Sequence, residues 1–160
     1  MVVAVIVIIA AISMAVLERA RHYAAEGSAI GSMRTINSAQ SAYAAACGGG
    51  FYAPSLVSLG AAPLGENGAA FVAEGLNTDP SYKSTYTITL YPGPNAPGSA
   101  ESCNGLPAGS AVYTYFVGAD PPPAGGMRYF GTSQSGTIYR SETRVAVTFD
   151  GAPPGAEPIE

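Results

Sequence analysis

The sequence predicts an α+β fold: one long N-terminal α-helix, apolar in its first half and amphipathic in its second, packed on an antiparallel sheet of three or four strands. Three observations predict it. Seventeen residues, Met1 to Leu17, pass before the first charged side chain, and no proline interrupts the chain before Pro54. From Lys83 onward the text changes to short alternating runs of Tyr, Thr, Ile and Val separated by Gly- and Pro-rich turns. With 160 residues the chain has room for one domain, in three parts: an apolar helix half (1–17), an amphipathic helix half (18–46) and a head with a polar, Pro-rich tail (47–160).

Nine of the first seventeen residues are Val or Ile, and Ser13 is the only polar side chain among them. A helix without a polar face does not sit on a soluble core. A secretory signal needs basic residues ahead of its apolar run, and none precedes this one. As a helix the run spans about 25 Å, slightly short of the ~30 Å hydrocarbon layer. The next stretch, "LERARHYAAEGSAIGSMRTINSAQSAYAAA", is rich in helix formers, and "CGGGF" stops it, since glycines supply the left-handed positions used at helix ends. A helix of that extent measures roughly 69 Å, whereas the remaining residues form a globule with a radius of gyration of about 13 Å. Half the helix must therefore project. Tyr23, Gly27, Ile30 and Met33 or Ile36 read as the stripe that the sheet covers. Beside it run Ala20, Ala24, Gly27, Ser28, Gly31 and Ser32, with a G-x-x-x-G at Gly27 and Gly31. Small residues so spaced admit a close backbone, either of the chain's own sheet or of a second helix.

Gly48 to Ser81 has no sustained period and reads as an irregular segment with a short helical turn at "PSLVSLG". "KSTYTITLY" alternates, with Tyr86, Ile88 and Leu90 on one face, and is a half-buried strand. "PGPNAPGSAESCNGLPAG" is an exposed loop and "SAVYTYFVG" a second strand. "MRYFG" and "TIYR" flank a turn at "TSQSG", and "TRVAVTF" alternates again through Val145, Val147 and Phe149. The tail "DGAPPGAEPIE" reads as loosely held.

Composition excludes several function classes. Net charge is -4 and the seven basic residues are scattered, so no nucleic-acid footprint exists and no such partner is expected. Cys47 and Cys103 lack metal-ligand spacing; in an oxidising compartment they read as a disulfide, the alternative being two unrelated buried thiols. The single histidine, His22, sits among charges without a nucleophile beside it. "GTSQSG" lacks the following helix that a nucleophile elbow requires. Asp79, Asp120 and Asp150 stand apart from other acids, so no calcium site is readable. No enzyme activity, cofactor or metal is expected.

At these residues the chain resembles the type IV pilins and their pseudopilin relatives. "MVVAVIVIIAAISM", with "AAI" at Ala10 to Ile12, is similar to the N-terminal segment behind a prepilin cleavage site. "RARHYAAEGSAIGSMRTINSAQSAYAAA" ending in "GGGFYAPSLVSLG" resembles the amphipathic half-helix and first loop of a bacterial pilin subgroup, and "RYFGTSQSGTIYR" its last hairpin. Together these cover about half the chain. The family's basic leader, cleavage-site glycine, methylated aromatic residue and nearby glutamate would lie upstream of Met1. A helix-kinking proline common in relatives is replaced here by "SMAVLE".

The resemblance implies the type IV pilin fold and a structural filament subunit serving adhesion, motility or surface attachment. It implies a homo-oligomer: a helical filament of identical subunits whose core is packed by Val3, Ile6, Ile9, Ala10, Ile12, Leu17, Gly27 and Gly31. Before assembly the subunit would sit in the inner membrane and meet the pilus assembly machinery; afterwards it would be extracellular. A type II secretion pseudopilin and a singly membrane-anchored periplasmic binding module are the alternatives.

Overall fold

A computed structural model describes residues 2–65, 68–123 and 127–159, with the backbone alone described for 2–16. Helix α1 (Val2–Ala46) is unbroken over 45 residues. Its stop forms as the glycines require. Gly48 and Cys47 donate to the Tyr43 carbonyl at 2.7 and 2.8 Å, Gly50 donates to that of Ala44 at 2.8 Å, and Gly49 and Gly50 take φ of 61° and 94°. A one-turn helix α2 (Leu56–Gly60) follows, capped by the Ser55 hydroxyl, which accepts from the Ser58 amide.

The sheet has six strands: β1 (Ser81–Lys83), β2 (Tyr86–Pro92), β3 (Tyr115–Asp120), β4 (Tyr129–Ser133), β5 (Ile138–Ser141) and β6 (Glu157–Ile159). All neighbours are antiparallel and the spatial order follows the chain order. Register lines up one apolar face: Ile88 opposes Ala119, Leu90 opposes Val117 and Ala119 opposes Phe130. Against this face lie Ala25, Ala29, Met33, Ile36, Ala39 and Tyr43 of α1 in one continuous core. The chain is thus α+β, a long helix on an antiparallel sheet.

Six strands replace the expected three or four. The two additional ones are three-residue edge strands, too short to show alternation. β1 reaches β2 through Ser84 and Thr85 at φ of 49° and 74°, a turn written without glycine. β6 lies in the Pro-rich tail, which is not loosely held: it pairs with β5, and Glu157 meets Arg140 at 3.1 Å.

"TRVAVTF" is not a strand. It crosses the outer face of the sheet, where Gly118 opposes Gly131 and leaves a trough beside the Phe116 ring. A Cβ on Gly131 would stand 2.8 Å from Val145 Cγ1 and 2.6 Å from Phe116 Cζ, so Val145 fills that trough because Gly131 is bare. Arg144 anchors the crossing, with Nε 2.8 Å from Asp120 Oδ2 and a 2.7 Å donation to the Tyr91 hydroxyl. Of its alternating residues Val145 is buried, Phe149 partly so and Val147 exposed, so the alternation does not mark one covered side.

Candidate functional site

The feature that positions possible function is where α1 leaves the head. Residues 17–24 are exposed on every side, including Leu17 at 52% and Tyr23 at 65%. Burial begins at Ala25 and recurs at Ala29, Met33, Ile36, Ala39 and Tyr43. This corrects the expected stripe. Met33 and Ile36 are covered and Ile30 is partly so, but Tyr23 and Gly27 are not. Alanine, being small, lets the helix lie close to the sheet, and Tyr23 sits before the head begins.

Polar groups lock the seam between helix and head. The Gln40 side chain, fully buried, donates to the Ala53 carbonyl and accepts from the Ala53 amide, both at 2.9 Å. Asn37 donates to the Thr132 hydroxyl at 2.9 Å and accepts from Tyr115 at 3.0 Å. Glu26 accepts the Arg128 amide at 3.2 Å and pairs with its guanidinium at 3.4 Å. Burial pushes the Tyr86 hydroxyl above its ordinary range, the Glu26 carboxylate adding to the rise and Arg128 opposing it; Tyr86 donates to the Arg128 carbonyl. Burial likewise raises Tyr115, with Tyr52 adding to it. Burial raises the Asp79 carboxyl, partly offset by amide donation from Leu90 and Leu56. These shifts belong to groups that hold α1, α2 and the sheet together. Sequence reasoning missed this network; the signal available was two amides, Asn37 and Gln40, beside the apolar positions of one helix face.

The other face of α1 is open. A Cβ at Gly27 or at Gly31 would meet nothing within 4 Å, so the pair does not serve packing on the chain's own sheet. That half of the expectation is corrected, and contact with a second helix stays as a proposal. Cys47 and Cys103 are joined as a disulfide with Cα atoms 4.9 Å apart, tying the end of α1 to the β2–β3 loop. Asn104, next to Cys103, donates to the carbonyls of Ser58 and Ala61 and binds the same loop to α2. Val3, Ile6, Ile9, Ala10 and Ile12 lie outside the residues whose side chains are described.

His22 is exposed, beside Arg19, Tyr23, Glu26 and Arg128. "GTSQSG" makes the β4–β5 turn, with Gly136 at φ 77° donating to the Ser133 carbonyl. Among the described residues no three His, Cys, Asp or Glu side chains gather as a metal-binding group, and no helix is long and apolar enough to cross a membrane. The expectation of an apolar membrane half rests on residues 1–17, of which only Leu17 has a described side chain. No family model matches the chain, and neither the curated proteins nor the solved structures yield a match.

Proposed function

We propose that this chain is a structural subunit of a type IV pilus-like filament, polymerising through its N-terminal helix. The observation that carries the reading is the departure of α1 from the head at Ala25, with every residue from 17 to 24 uncovered and Gly27 and Gly31 facing open space. A projecting rod that begins with the run Met1–Leu17 needs lipid or other copies around it. Copies related by a heterologous, non-closing contact form a fibre. In the inner membrane the apolar run would hold the head outside the bilayer. In the filament the same run would bundle into a dry core, and the exchange of lipid for protein would draw on packing rather than on removal from water.

The test is electron microscopy of the full chain on removal of detergent, beside Ile8→Asp. The wild type should form filaments. The aspartate, costing about 2.5–3.5 kcal/mol at a helix centre on insertion scales, should abolish them while circular dichroism of the head is retained. A wild type that stays monomeric without detergent, or filaments from Ile8→Asp, would overturn the reading.

A further inference from the structure

We infer that the end of the head from which α1 emerges is a docking surface for anionic phospholipid headgroups; the inference rests on the membrane-inserted stage of the proposed function. Four features of that end carry it. The first is length: residues 18–24 occupy about 10 Å of helix, against a headgroup layer of roughly 5–8 Å on each side of the hydrocarbon. With Leu17 at the hydrocarbon boundary, the near surface of the head stands at the outer limit of the headgroups.

The second is what that surface presents. The Ser28 and Ser84 hydroxyls, 2.8 Å apart, hold the β1–β2 turn against the flank of α1, and Thr85 of that turn lines one hollow with Glu18, Arg21, His22 and Met127. The turn therefore sits beside the helix exit, with Lys83 and Tyr82, the latter 76% exposed, next to it.

The third is charge. Arg19, Arg21, Lys83 and Arg128 share this end with Glu18, Glu26 and Glu142, and the ion pairs Arg140–Glu157 and Arg144–Asp120 beside them add no net charge. Glu26 is taken up by Arg128. The exit end carries an excess of one positive charge on a chain of net charge -4, so the rest of the molecule is repelled by an anionic surface while this end is drawn to it. The fourth is side-chain type: Tyr23, exposed on the emerging helix, and Tyr82, exposed beside the β1–β2 turn on the sheet face away from α1, have the apolar ring and polar tip that suit the membrane–water boundary.

The experiment places the full chain in lipid nanodiscs of phosphatidylcholine alone or with phosphatidylglycerol, each with a headgroup spin label, and follows amide line broadening by NMR. In the anionic discs, amides 82–85 should broaden together with those of 17–23. The docked-to-free ratio should fall about fivefold for each basic side chain removed in Arg19→Gln, Arg21→Gln and Lys83→Gln, and about 1 M salt should abolish docking. Broadening confined to 17–23 in both lipids, with 82–85 untouched, would overturn the docking surface and leave the anchor in place. Protection of 82–85 only in polymerised protein would overturn it in favour of a second copy of this chain. Absence of broadening anywhere would overturn the anchor itself.

Discussion

Substituting Gly27 and Gly31 separates what α1 does for the head from what it would do in the proposed polymer. A Cβ at either site meets nothing within 4 Å, so alanine there adds no clash within a single chain, and both positions are exposed, which leaves a leucine free to extend into solvent. Removing a helical glycine gains about 0.6–1 kcal/mol of propensity per site, so the double variant should be roughly 1–2 kcal/mol more stable. For a chain of this size that raises Tm by about 2–8 °C. In a filament the same face would receive a neighbouring helix. Leucines there overfill the contact at about 1–3 kcal/mol each, and at 1.4 kcal/mol per factor of ten the pair raises the critical concentration for assembly by on the order of 30-fold or more. Thermal unfolding by circular dichroism reads the first effect, and sedimentation of polymer the second. Gly27→Leu/Gly31→Leu protein that melts higher and assembles poorly agrees with the proposal. Assembly at the wild-type critical concentration would refute close helix packing at this face, and a lowered Tm would refute its openness in the single chain.

Gln40→Leu should orphan the amide and carbonyl of buried Ala53, at roughly 1–3 kcal/mol for each group, and lower Tm by about 4 °C or more; an unchanged melting curve would show that water or a shift of the 53 segment replaces the clamp. Asp79 tests the pH dependence. Its folded carboxyl titrates above the ordinary value of 3.8, so the native state holds the proton more tightly than the unfolded chain. Its contribution is then fullest below 3.8 and declines as pH rises through its folded value. The stability of wild type minus that of Asp79→Asn, from urea unfolding between about pH 3 and 7, should fall as pH rises. A difference that rises with pH would mean that the amide donations from Leu56 and Leu90 outweigh burial.

Long elements with strong local signals were legible. The stop at "CGGGF" needs only three glycines and the carbonyls of Tyr43 and Ala44, all within seven residues of one another, and the structure forms it there. The alternation of Tyr86, Ile88 and Leu90 fell on the buried face of β2. The short edge strands were not legible, because β1 and β6 are held by their partners rather than by their own residues, and a strand containing Pro158 reads as tail until β5 lies beside it. "TRVAVTF" misled for a related reason: its alternation comes with no pairing partner, and of Val145, Val147 and Phe149 only Val145 is buried, held by the trough at Gly131. On α1 the stripe was displaced because Tyr23 precedes Ala25, where the head begins to cover the helix, and Gly27 lies on the face opposite buried Ala25 and Ala29. Where small residues fill both sides of a helix, periodicity fixes neither which face is covered nor where the covering body ends.

By itself the sequence determined a continuous helix longer than any globule its remaining residues could build, an apolar start, an antiparallel sheet and a pair of cysteines able to bridge, because each depends on local propensity, length or composition. Only the tertiary structure decided that burial starts at Ala25, that Gly27 and Gly31 look outward, that Gln40 and Asn37 lock the seam, and that the cysteines meet across the helix end. Those are outcomes of how a sheet of fixed size docks along a rod. The choice of height and rotation is made by the summed contacts of residues such as Ala29, Met33, Tyr115 and Val117, far apart in the chain, and no local window of sequence contains that sum.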